Sequence, residues 1–144
     1  MSIHYADNTK EIDWHTLSRL YAIAPLGKKS PRDLQTAFGN SMFCYFVFSG
    51  DLLIGAGRAL ADGVDCSYIC DVAIHPDFQG KGHGKTIIQK LIKLSKNHKK
   101  IILYAKPGKE ALYAHLGFKK MQTAMAMFQD EAWAMEVGLL ENIS

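Results

Sequence analysis

Residues 71–85, Asp71-Val72-Ala73-Ile74-His75-Pro76-Asp77-Phe78-Gln79-Gly80-Lys81-Gly82-His83-Gly84-Lys85, decide how this chain is to be understood. An apolar run stops at Pro76, a glycine-rich bend follows, and a strongly patterned helix starts at once. Glycines at 80, 82 and 84 let backbone N–H groups turn inward with no Cβ in the way. The helix behind them adds the positive end of its dipole, so the bend suits an anion such as a pyrophosphate. Two common nucleotide motifs fail here. A Walker loop finds its end in Gly84-Lys85-Thr86 but needs glycine where Gln79 stands. The pattern G-x-G-x-x-G starts at Gly80 and Gly82 and meets Lys85 at its third glycine.

Before the bend, residues 66–74 are the last strand of an antiparallel meander. It begins with strands at 42–48 and 52–61, joined by turns at Gly50-Asp51 and Asp62-Gly63. Upstream, Ile3-His4-Tyr5 forms a short strand. Asp13 caps a helix carrying Trp14, Leu17, Leu20 and Tyr21 at helical spacing, and Ser30-Pro31 opens a second helix running to Gly39. Downstream, residues 87–94 continue the helix with an apolar stripe of Ile87, Ile88, Leu91, Ile92 and Leu94, and Lys90, Lys93 and Lys96 fall largely off it. Residues 100–104 are a buried strand, and residues 108–118 a short helix closed by Gly117. Residues 119–121 and 124–128 are expected as two final strands. Residues 130–141 are expected as an amphipathic helix with an interior Gly138. That helix either packs on its own domain, forms a homodimer contact or caps an acceptor pocket.

The bend fits Gln-x-x-Gly-x-Gly through Gln79, Gly82 and Gly84, and Tyr113 is followed by Leu116-Gly117-Phe118. In both respects the chain resembles the acyl-CoA-binding segments of the GNAT N-acetyltransferase superfamily. The resemblance covers residues 43–128, with Leu112 in place of a usual aromatic residue and Lys106 in place of a frequent Asn. It implies an α/β (α+β) fold, a mixed, mostly antiparallel twisted sheet of about seven strands flanked by helices; helical spacing adds the extra C-terminal helix, and length makes residues 1–144 most simply one domain. It further implies acetyl-CoA as co-substrate, its diphosphate held by Gln79, Gly80, Lys81, Gly82, His83, Gly84 and Lys85 and its pantetheine arm along Val72, Ala73 and Ile74. Val72 matches the position of a strand bulge whose backbone N–H faces the thioester carbonyl, and Tyr113 the tyrosine that protonates the departing thiolate. The connection at residues 24–29 corresponds to a region over the acceptor site.

The amine must lose a proton before it attacks, and the same strand offers Asp71 and Tyr68 as acceptors, directly or through water. A carboxylate within Tyr68-Ile69-Cys70-Asp71-Val72-Ala73-Ile74 also admits a structural role, tying down the bulge or pairing with a lysine. The segment from Asp62 to Pro76 looks like relatives that acetylate small primary amines. The expected acceptor is therefore an arylalkylamine, diamine or polyamine, with Trp14, Tyr21, Phe38, Phe43 and Tyr45 as either pocket lining or core. The alternatives are a protein or peptide acceptor, or a CoA-binding regulatory module without turnover.

Composition narrows the rest. A net charge of +3 is far from a nucleic-acid-binding balance, and no apolar run approaches the roughly 20 residues of a membrane helix. Cys44, Cys66 and Cys70 lack metal-ligand or C-x-x-C spacing and are expected as free thiols of a reducing compartment, which with the absence of a signal-peptide pattern implies a cytoplasmic protein. The six histidines show no H-x-x-x-H or H-E-x-x-H spacing, so no metal site is expected.

Overall fold

The structure, a computed structural model, describes residues 1–143 and divides into two compact units, Met1–Leu103 and Tyr104–Ser144. In the first unit, a five-stranded sheet of order β1-β2-β3-β4-β5 comprises β1 (Ile3–Ala6), β2 (Phe43–Ser49), β3 (Leu52–Ala61), β4 (Cys66–Ile74) and β5 (Lys100–Ile102). All neighbours are antiparallel except β4 and β5, which run parallel.

Helices α1 (Trp14–Ile23) and α2 (Pro31–Gly39) begin at the expected caps. The Asp13 carboxylate accepts from the N–H groups of His15 and Thr16, and the Ser30 hydroxyl from that of Asp33. Their apolar faces set Leu17, Leu20, Tyr21, Leu34 and Phe38 against Cys44, Phe46, Leu53, Ala56 and Ala73 of the sheet. Each large side chain buried there contributes about 2 kcal/mol. The other face of the sheet carries α3 (His83–Leu94). A Cβ on Gly57 would come within 2.7 Å of Ile87 Cγ2, so the helix lies against the sheet where β3 has no side chain.

A bulge in β4 decides which residues face which layer. Ala56 pairs with Ala73 and Arg58 with Cys70, which leaves Gly57 alone opposite both Asp71 and Val72. Before the bulge, Ser67 faces α3, its hydroxyl 2.8 Å from that of Ser95 at the end of the helix. An unbroken strand would return Ala73 to that same face, yet Ala73 lies in the core with α1 and α2. The one inserted residue reverses the alternation and turns Val72 and Ile74 toward α3, where they lie beside the Cβ positions of Gly57 and Gly55.

The second unit holds α4 (Glu110–His115) and α5 (Glu131–Glu136). Both close in the same way. Phe118 N–H returns to Tyr113 O and Gly117 N–H to Ala114 O, and Leu139 N–H to Ala134 O and Gly138 N–H to Met135 O. The expected helix over residues 130–141 therefore stops early. Gly138, expected inside the helix, adopts φ +82° and ends it instead. Of its apolar stripe, Trp133 is 48% and Val137 40% exposed.

The sheet has five strands where about seven were expected, because residues 119–121 and 124–128 form none. The run Ala124-Met125-Ala126-Met127 has no β-branched residue and leaves its side chains exposed, so a strand there would have no face to bury. The strand expected over residues 100–104 ends at Ile102. Among the described residues no helix is long and apolar enough to cross a membrane.

Candidate active site

The bend after β4 has the geometry of an anion cradle. Residues Pro76–Phe78 make one 3-10 turn, held by the His75 ring, whose Nδ1 accepts from Asp77 N–H. The Gln79 side chain donates to Ile74 O at 3.1 Å, tying the bend to the end of the strand. Gly82 sits at φ +84° as the residue that precedes α3, a conformation an L side chain would resist. The first helical bond runs from Thr86 N–H to Gly82 O, so the N–H groups of His83, Gly84 and Lys85 lead the helix without intrahelical acceptors. The first turn of α3 carries no acid, and Lys81 and Lys85 are exposed beside it, Lys81 lying 5.3 Å over the Phe78 ring. Donors, dipole and cations together fit a diphosphate.

The strand leading into this bend is only partly paired. β5 matches β4 at Cys66, Ser67 and Tyr68 and no further, so residues 69–74 have a paired strand on the β3 side alone. That edge offers backbone groups to an extended ligand carrying amides, as pantetheine does. The residues present thus fit coenzyme A from its diphosphate to its arm.

At the bulge, Asp71 has φ +55°, the one non-glycine residue with positive φ among those described. Such a backbone costs about 1–3 kcal/mol and persists only where its surroundings hold it. Three side chains do so. Tyr21 Oη donates to Asp71 O at 2.6 Å, Arg58 Nε to Asp71 Oδ2 at 2.8 Å, and Lys29 Nζ lies 3.6 Å from Oδ1. Arg58 also donates to Ser41 Oγ at 3.2 Å and lies over the Phe38 ring. Of the two roles open to Asp71 from sequence, proton acceptor and tie of the bulge, these contacts are those of the tie. Burial holds the Tyr21 hydroxyl well above the ordinary phenol value, so it stays a donor, and raises the neighbouring Cys70 thiol to about 11.

Tyr68 pairs with Leu60 two positions before Cys70, which puts it on the sheet face of Arg58 and Asp71. Lys29 belongs to the α1–α2 connection, so that connection borders the bulge, where the resemblance sets the acceptor. Tyr113 belongs to the second unit, in α4. It is half-buried and edge-on to Phe118, and burial raises its hydroxyl above the usual value. The five aromatic residues considered as pocket lining do not converge. Tyr21 and Phe38 are core and Trp14 packs on them, whereas Phe43 meets His98 and Tyr45 meets Lys90 of α3 on the opposite face.

Sequence reasoning missed Arg58 and Lys29, and it missed the bond that Tyr21 makes. A lone arginine inside the apolar strand Leu52–Ala61 was the available signal for the first. The Tyr21 bond spans 50 residues and leaves no local trace.

The acetyltransferase (GNAT) family model matches residues 8–118. An uncharacterized N-acetyltransferase, ycf52, of Porphyra purpurea is 34% identical over 122 residues, 81% of this chain and 70% of that protein. Serotonin N-acetyltransferase 2, chloroplastic, of Oryza sativa subsp. japonica is 27% identical over 113 residues, 74% of this chain and 56% of that protein. A crystallised probable acetyltransferase from meticillin-resistant Staphylococcus aureus superposes with a TM-score of 0.79 at 23% identity, covering 88% of this chain and 98% of the other. With the family model matched over residues 8–118 and a relative 34% identical over 81% of its length, this chain belongs to the GNAT acetyltransferase family.

Proposed function

We propose that this chain transfers the acetyl group of acetyl-CoA to the primary amine of a small molecule by direct attack, with an arylalkylamine as the favoured acceptor class. The observation that carries the donor half is the unpaired edge of residues 69–74, which runs through the bulge and ends at the cradle of residues 79–85. Acetyl-CoA supplies an acyl group activated as a thioester.

The chain's own groups divide the remaining work. Gln79, Gly80, Lys81, Gly82, His83, Gly84 and Lys85 hold the diphosphate through backbone N–H groups and lysine charge. Val72, Ala73 and Ile74 hold the arm. Val72 N–H stabilises the negative charge that develops on the thioester oxygen, a contribution of about 3 kcal/mol for a donor of this kind. Deprotonating a free alkyl amine near neutral pH costs about 4 kcal/mol. The Tyr68 hydroxyl, directly or through water, is the group of β4 that relays this proton, since the Asp71 carboxylate is engaged by Arg58 and Lys29. Tyr113 returns a proton to the departing thiolate, and its raised pKa keeps the hydroxyl protonated for that purpose.

Charge supports an arylalkylamine over a diamine or polyamine. The bulge sets one carboxylate against two cations, Arg58 and Lys29, so a second ammonium on the acceptor would meet an excess of positive charge. The rice relative, by name a serotonin N-acetyltransferase, points the same way.

Thiol release from acetyl-CoA with a panel of tryptamine, serotonin, putrescine, spermidine and a lysine peptide tests the reading. Highest kcat/KM is expected with the arylalkylamines. Turnover confined to the peptide would replace the acceptor class, and tight CoA binding without turnover on any amine would make the chain a binding module.

A further inference from the structure

We infer that Tyr21 is a positioning residue for catalysis: with Arg58 and Asp71 it forms a splint that aims the Val72 N–H. The inference rests on the proposed role of that N–H at the thioester carbonyl and adds what holds it in place.

The argument starts from the peptide unit itself. Asp71 C=O and Val72 N–H belong to one planar group, trans like every other described peptide bond in the chain, so the two bonds point in opposite directions and turn together. In a regular strand both would be fixed by neighbouring strands. Here the bulge has removed the regular register on the β3 side, where Gly57 faces two residues, and β5 has already ended its pairing at Tyr68. The orientation of this one peptide therefore depends on other bonds.

The Tyr21 hydroxyl supplies one, to the carbonyl oxygen at 2.6 Å, from a side chain that is 0% exposed and wedged between α1 and the sheet. With the oxygen pinned toward α1, the N–H must point away from it. Arg58 supplies the second bond, fixing the Asp71 side chain at 2.8 Å while its own guanidinium is anchored to Ser41 Oγ at 3.2 Å. One bond holds the peptide and the other holds the side chain on the same Cα. Together they account for a left-handed aspartate where glycine would be the ordinary solution. Burial raises the tyrosine hydroxyl well above the ordinary phenol value, which favours its protonated, donating form.

Tyr21→Phe retains the ring and its packing and removes the one bond. With the preferred amine, kcat is expected to fall about tenfold or more, while KM for acetyl-CoA and the CoA dissociation constant stay within about twofold. Isotope-edited infrared spectroscopy of bound [1-13C]acetyl-CoA gives a readout that a packing defect alone would not move. The thioester carbonyl stretch, lowered in the wild type by the Val72 N–H, should shift back toward its solution frequency in Tyr21→Phe.

At position 71, Asp71→Ala should lose kcat as Tyr21→Phe does. Asp71→Asn should recover most of it, because Asn tolerates positive φ and its carbonyl accepts from Arg58. An active wild type whose kcat and carbonyl frequency are unchanged by Tyr21→Phe would overturn the splint. So would an Asp71→Asn variant as inactive as Asp71→Ala, which would make the carboxylate a proton acceptor. A wild type that binds acetyl-CoA with no shift of the carbonyl stretch would instead sink the underlying role of Val72, a separate failure.

Discussion

Along β4, residues 66–68 and residues 69–74 lie in one strand yet are held in different ways. All three of the first pair with β5, Ser67 and Tyr68 pair with β3 as well, and Ser67 is buried against Ser95 at the end of α3. The last six have strand pairing on one side only, contain the bulge, and carry the one left-handed non-glycine residue described. The early part stabilises the sheet. The later part gives up a ladder of hydrogen bonds and accepts backbone strain, and in the function proposed here it does so to present oriented peptide groups to a ligand that has amides of its own. A fold can host such a segment because the cost falls on one strand half and is offset by side chains packed around it.

Substitutions on either side of Tyr68 should therefore have opposite signatures. Val72→Pro deletes the N–H assigned to the thioester oxygen at a bulge, where proline is tolerated in strands. A loss in kcat of about 100-fold or more is expected, with CoA binding measured by calorimetry changed far less. Tyr113→Phe should lower the chemical rate by about 10- to 100-fold in single-turnover assays with acetyl-CoA affinity retained. Because burial raises the Tyr113 pKa and the protonated form is the acid, the wild type should lose this contribution only above pH 10, on the alkaline limb of its kcat profile. Gly82→Val forces a β-branched residue into φ +84° at the head of α3 and should raise KM for acetyl-CoA about tenfold with smaller effect on kcat. On the other side of Tyr68, Ser67→Ala breaks the buried hydroxyl contact and should cost about 1 kcal/mol in urea melts while leaving kcat unchanged.

The same division explains what could be foreseen. The bounds of α2, β3 and β4 follow from a cap, two turns and a continuous apolar pattern, all of them local, and the structure agrees with them. The bend and the start of α3 were equally legible, since glycine spacing and a helix start are written within a few residues. The clamp on the bulge was not. Its bonds join Asp71 to Arg58 and to Tyr21, 13 and 50 residues away, and only folding brings them together. The later segments failed for a different reason. At Gly138 the same residue serves as a costly helix interior or as a left-handed stop, and bonds from Leu139 and Gly138 back to Ala134 and Met135 select the stop. Residues 119–128 alternate weakly, and alternation makes a strand only where a neighbouring edge receives it.

The most direct measurement is a crystal structure of the protein with coenzyme A. The account predicts diphosphate oxygens within hydrogen-bonding distance of backbone N–H groups in residues 80–85 and pantetheine amides paired to the open edge of residues 69–74. Coenzyme A found with its diphosphate away from that bend, or with its arm on another edge of the sheet, would contradict it.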